Sequence, residues 1–166
     1  MESKFKAAGH AVHPMLIVFP LGLLATATVF DVIRAATRNP QYGRSAHHML
    51  GAGVVGGLVA AVPGTVDYLA IPRNTRARRI GLWHGLGNVL VTSLFASSWL
   101  ARRNDPENPG AGAIALSLAG SGLALVTGWL GGELVERLAI GVDEGAHENA
   151  SSSLSERPAA QPEIAA

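Results

Sequence analysis

GAGVVGGLVAAVPG, residues 51–64, carries five glycines, one proline and no charge. In water it would make a poor helix, because glycine loses the most backbone entropy on folding and proline lacks an N–H. In hydrocarbon the balance reverses. The backbone has no water to bond there, so a helix that satisfies its own N–H and C=O groups persists. Whether the chain is built for water or for lipid turns on whether this stretch has companions.

It has three. The stretch is the middle of a charge-poor segment from His47 to Ile71, and similar segments run from about Val12 to Ile33, Ile80 to Ala101 and Ala111 to Leu134. Each is close to the roughly 20 residues that an α-helix needs to cross a hydrocarbon core of about 30 Å. A soluble bundle would show polar faces at a 3.6-residue period, and these are missing. The connections "RAATRNPQYGRSA" (34–46), "PRNTRARR" (72–79) and "RRNDPENPG" (102–110) are short and rich in helix-stopping residues, which makes neighbouring helices antiparallel. The expected fold is an all-α integral membrane bundle of four helices, up-down-up-down, over residues 1–142. No internal repeat is evident. From Asp143 the chain turns polar and rich in Ser, Ala and Pro, and a disordered tail is expected over 143–166.

Composition narrows the function classes. The 166 residues are 48% hydrophobic and 15% charged, with no cysteine and a net charge of +1. Disulfides and thiolate metal sites are excluded, and nothing supplies the concentrated basic face that nucleic acid requires. A basic start, "MESKFKAAGH", precedes the first apolar run, and Ala25-Thr26-Ala27 is a weak cleavage signal. His13, Pro14, Pro20 and Asp31 lie within or beside that run, so an uncleaved first helix is expected. Lys4, Lys6, Arg73, Arg76, Arg78, Arg79 and Arg137 fall on one side, against Arg34, Arg38, Arg44, Arg102 and Arg103 on the other. The positive-inside rule then places both termini in the cytoplasm, by a narrow margin. Small residues four apart (Gly53 and Gly57, Gly81 and Gly85, Gly128 and Gly132) suit close helix packing, and outward-facing pairs would permit a homo-oligomer.

Antiparallel alternation fixes which helix ends share a leaflet. His13 opens helix one, Asp67 lies near the end of helix two, His84 one turn into helix three and Glu133 at the close of helix four. All four fall on the same side, with Asn88 one turn deeper than His84 and on its face. Trp83, Trp129 and Tyr68 mark that interface, while Trp99 and Tyr42 mark the other. Ionisable groups in membrane helices are costly and normally face the interior, paired with one another or with a ligand. His13, His84, Asp67 and Glu133 therefore form a candidate metal site, suited to a divalent transition metal such as iron, zinc or manganese. Alternatively, the histidines could be axial ligands of a haem b, with Asp67 and Asn88 orienting them. A proton or cation relay, helped by helix breaks at Pro20 and Pro63, and a cofactor-free scaffold are the competing readings. Bland pairings exist for the carboxylates: Asp67 with Arg73 or Arg76, and Glu133 with Arg137. On the opposite side, His47 and His48 open helix two as interfacial caps near Asp31 and Arg44, and His10 and His147 are expected in solvent. No nucleophile or reaction can be read, so the sequence does not support naming an enzyme.

"HPMLIVFPLGLL", "GLVAAVPGTVDYLAIP", "HGLGNVLVTSLF" and "GWLGGELVERLAIGVD" together resemble a bacterial membrane family known as the domain of unknown function numbered twenty-two thirty-one, over about Val12 to Asp143. The motif positions are His13, Pro14, Pro20, Pro63, Asp67, His84, Asn88, Trp129 and Glu133. The resemblance implies a multi-pass protein of the bacterial inner membrane. It also implies proximity to electron transfer, since relatives are sometimes joined to Rieske or cytochrome domains, which makes such redox proteins the expected partners. Two departures stand out: "ERLAIGVD" is less aromatic than the resemblance leads one to expect, and Glu133 stands where some relatives carry histidine.

Overall fold

The computed structural model describes residues 1–155. A two-stranded hairpin, β1 (Lys6–Ala7) and β2 (His10–Ala11), leads directly into α1 (Val12–Thr37). Then come α2 (Pro40–Ala70), α3 (Arg76–Ala101) and α4 (Ala111–Gly132), and α4 runs on into a π-helical turn over Glu133–Arg137. All four helices are long and apolar enough to cross a membrane. Large apolar side chains lie open on the outside, as lipid-facing residues must: Leu125 is 79% exposed and Val89 66%. Pro20 and Pro63 both sit inside continuous helices, so neither breaks its segment.

Two helices begin earlier than hydropathy alone suggests, and local chemistry explains both. The Asn39 side chain accepts the Gln41 N–H, with Pro40 in the first helical position where a missing N–H costs nothing. Thr75 accepts the Arg78 N–H in the same way at the start of α3. The 31 residues of α2 span about 46 Å at 1.5 Å per residue, more than the hydrocarbon thickness. His47 and His48 consequently lie about two turns inside α2 instead of capping its start. The His47 ring stands 6.0 Å from Trp99, centroid to centroid.

α1 packs most closely on α2, and α3 on α4; looser contacts between α2 and α3 and between α1 and α4 close the ring. The main core is Leu24, Ala27, Ala46, Leu50, Val54, Val91 and Phe95. Glycine makes two of its helix contacts possible: a Cβ on Gly53 would lie 2.7 Å from Leu24, and one on Gly120 3.0 Å from Phe95. Of the four-apart pairs, Gly53 and Gly81 pack closely, whereas Gly85, Gly128 and Gly132 have open space before them.

One end of the bundle holds a buried ion pair across its diagonal. Arg102 Nη1 and Nη2 donate to the two Asp31 carboxylate oxygens at 2.5 and 2.9 Å, and both side chains are fully covered. Arg102 Nη2 also donates to Ser98 Oγ at 2.8 Å, and Ser98 is 2.8 Å from Ser117 Oγ. Arg102 is thus not a free charge at the membrane surface, where the sequence placed it. Its long side chain folds back from the end of α3 to reach the only fully buried carboxylate among the described residues. The α3–α4 loop covers this end: Arg34 donates to Glu107 O and Asn108 Oδ1, and Arg44 pairs with Glu107.

At the opposite end the N-terminal segment straps the bundle. Phe5 O accepts the Val12 N–H, closing the hairpin around Ala8 and Gly9, both at positive φ as a tight two-residue turn requires. Met1 O accepts the Gly141 N–H, Glu2 accepts from Glu144 N, and Lys6 reaches both Glu2 and Asp143. That pairing holds the Glu2 carboxyl below its ordinary pKa and lifts that of Lys6. The polar tail expected from Asp143 joins in as far as Ser153, whose hydroxyl donates to Ala8 O and lies 3.2 Å from His10 Nε2. Residues 156–166 of that tail lie outside the described residues.

Removing one member of a buried ion pair strands the other, at a cost of about 3–5 kcal/mol, whereas replacing both with apolar groups of similar size is close to neutral. Asp31→Leu and Arg102→Met should each lower the unfolding temperature in detergent sharply. The double variant should recover most of the loss, as thermal melts of the four proteins would show.

Candidate functional site

The residues singled out in the sequence share one end of the bundle, and the structure divides them into three groups. His13, in the first turn of α1, directs Nδ1 at the Ala60 carbonyl of α2, 2.8 Å away. His84, in the third turn of α3, directs Nδ1 at the Thr127 carbonyl of α4, 2.9 Å away. A carbonyl only accepts, so in each neutral imidazole Nδ1 carries the proton and Nε2 keeps its lone pair. The two rings approach each other across the bundle in a T-shaped arrangement, with centroids 6.4 Å apart and planes at 90°.

Each ring rests against a glycine one turn beyond its carbonyl. A Cβ on Gly64 would lie 2.9 Å from His13 Nδ1, and one on Gly131 3.0 Å from His84 Cε1. Pro63 stands between Ala60 and Gly64 and removes one bond of that turn. Asn88 lies on the His84 ring as expected, its amide nitrogen 3.1 Å from Nε2. An amide N–H donating there keeps that nitrogen an unprotonated acceptor.

The carboxylates are occupied elsewhere. Asp67 receives the Ser3 hydroxyl at 2.8–2.9 Å and the Lys4 backbone N–H at 2.6 Å, so it anchors the N-terminal strap. It is paired neither with Arg73 nor with Arg76. Glu133 pairs with Arg76 at 2.5 Å rather than with Arg137, because the π-helical turn that begins at Glu133 offsets the residues that follow. Among the described residues no three of His, Asp and Glu come together as a metal-binding group, so the four-ligand set His13, His84, Asp67 and Glu133 is not assembled. The histidine pair is.

Arg78 stacks over Tyr68, its guanidinium carbon 4.0 Å from the ring centroid, and donates to the Tyr68 carbonyl. Trp83 and Trp129 are 65% and 66% exposed at this end, as an interfacial belt should be. Sequence reasoning missed the two carbonyl–glycine seats and the Asp31–Arg102 centre. The seats do leave a trace, a glycine four residues after the accepting residue, but glycines are too frequent in this chain for that to stand out.

A protein-family model described as "Predicted membrane protein (DUF2231)" matches residues 9–144, and the chain belongs to that family. No curated protein and no solved structure matches it.

Crowding either seat should displace its imidazole. Gly64→Ala and Gly131→Ala are each expected to lengthen the Nδ1–carbonyl bond of the facing histidine and to cost about 1–3 kcal/mol. Gly132→Ala, which meets open space, should do neither. Histidine ¹⁵N shifts and thermal melts of the three variants check this.

Proposed function

We propose that this DUF2231 family member is a multi-pass protein of the bacterial inner membrane whose His13 and His84 hold a metal-centred redox cofactor, a haem b or a transition-metal ion, for electron transfer. The observation that carries the reading is the protonation pattern: histidines that ligate metals almost always donate the other ring N–H to a carbonyl or carboxylate, and both imidazoles do so here.

The donor set fits a group that needs two protein ligands. Bound there, a haem iron would supply one-electron chemistry, with Rieske- or cytochrome-type proteins as partners. The protein's own part would be to fix both ring tautomers through Ala60 O and Thr127 O and to hold the rings, their planes perpendicular, on Gly64 and Gly131. Asn88 would guard His84 Nε2 until a ligand displaces its amide.

The relay reading is less well supported. His13 and Asp31 lie eighteen residues apart on α1, about 27 Å at 1.5 Å per residue, and Leu24, Val54, Val91 and Phe95 fill the core between the two polar ends. For orientation, Lys4, Lys6, Arg73, Arg76, Arg78, Arg79 and Arg137 on the side of the termini outnumber Arg34, Arg38, Arg44, Arg102 and Arg103 on the other, an excess that supports cytoplasmic termini. A reporter fused to the C-terminus should be active only in the form that works in the cytoplasm.

The test is an absorption spectrum of detergent-purified protein, oxidised and dithionite-reduced, with elemental analysis of the same sample. A Soret band or stoichiometric metal, lost in His13→Ala/His84→Ala, is expected. Colourless, metal-free protein after growth with iron and haem supplied would overturn the reading.

A further inference from the structure

We propose that the bundle is two copies of one helical-hairpin module, α1–α2 and α3–α4, related by a two-fold axis along the bundle, and that His13 and His84 are equivalent ligands of one metal on that axis. The second half of this rests on the reading above, and the first does not. Its basis is a constant offset that sequence identity conceals. His84 stands 71 positions after His13, Phe95 71 after Leu24, Ser98 71 after Ala27 and Arg102 71 after Asp31. On the second helix of each hairpin the offset is 67. It relates Ala46 to Ala113, Leu50 to Ser117, Gly53 to Gly120, Ala60 to Thr127 and Gly64 to Gly131.

Contacts repeat with the positions. His13 bonds the Ala60 carbonyl and His84 the Thr127 carbonyl. Gly64 seats one ring and Gly131 the other; Gly53 admits Leu24, and Gly120 admits Phe95. The equivalent pairs Leu24/Phe95, Ala27/Ser98, Asp31/Arg102, Ala46/Ala113, Leu50/Ser117 and Ala60/Thr127 are all buried. α1 and α3 run parallel, and the contacts that cross the diagonal between them join equivalent residues, His13 with His84 and Asp31 with Arg102. Residues that meet their own counterparts lie on the symmetry axis.

Two consequences follow for the site. A ligand on the axis receives the same nitrogen from both halves, so neither histidine is primary. Among the described residues no third His, Asp or Glu joins them, which suits a metal that brings donors of its own, as one held in a tetrapyrrole would. Symmetry is broken at Asn88, whose counterpart is Ile17, and at Asp67, whose counterpart is Leu134.

The test has a ligand-free arm and a loaded arm. In full-length protein labelled with ¹⁵N-histidine and held in lipid nanodiscs, His13 and His84 should show the same tautomer, Nδ1 protonated and Nε2 bare. Different tautomers would overturn the equivalence, whatever binds. On addition of ferric protoporphyrin, the wild type should give a six-coordinate low-spin spectrum. His13→Gly and His84→Gly should each convert it to the five-coordinate high-spin form to the same extent, and imidazole should restore both. One variant that keeps the low-spin spectrum would overturn the shared-metal proposal while leaving haem binding in place. No spectrum in the wild type, with matched tautomers, would overturn the haem reading and leave the two-fold module standing.

Discussion

Asp31 and Arg102 can face each other inside an apolar bundle because the guanidinium fork meets the carboxylate with two N–H groups and Ser98 and Ser117 take up further donors. The underlying constraint is that a polar group in the hydrocarbon region has no water to fall back on, so each one must find a partner within the protein. Much of the rest of the structure follows the same demand, with His47 Nδ1, buried without a hydrogen-bond partner, as the exception among the described residues. Both imidazoles give their N–H to a main-chain carbonyl, Thr28 and Ser121 share a hydrogen bond between α1 and α4, and Asp67 takes its donors from the strap. Where partners must come close, a glycine stands opposite. The glycines that look like flaws in a soluble helix are what allow these approaches.

Hydropathy and the turn residues were enough to read the four spans, their antiparallel order and the end of the bundle that gathers the histidines. The early starts of α2 and α3 were also legible, in Asn39-Pro40 and Thr75, but hydropathy windows weigh apolar content and pass over caps. Arg102 was misplaced for a related reason. A charge at the edge of a span reads as a surface charge unless the length of its side chain and the depth of Asp31 are known together. The π-helical turn at Glu133–Arg137, which turns Glu133 towards Arg76, has no signature in periodicity.

The internal repeat is hard to read in the sequence because the two halves share positions and contacts more than residue types. Leucine answers phenylalanine at 24 and 95, alanine answers serine at 27 and 98, and an acid answers a base at 31 and 102. A search by identity finds little there, while burial and contact find the same module twice. Among the paired positions that face across the axis, the histidines are alike and the ionisable pair at the far end is opposite in charge. Two identical charges could not share that buried place.

The opposite charges also bear on the order in which the protein is made. The first hairpin can close on itself as soon as α2 has emerged, since His13 with Ala60 and Leu24 with Gly53 need nothing from the second. Asp31 differs: its counter-ion is 71 residues further along the chain, at the very end of α3. Until that segment is synthesised the carboxylate sits in the membrane without its counter-ion, and the half-made protein has a lasting reason to wait for its second half. The ion pair therefore cannot form before the end of α3 is made, and α4 must still follow to supply Ser117 to its guanidinium.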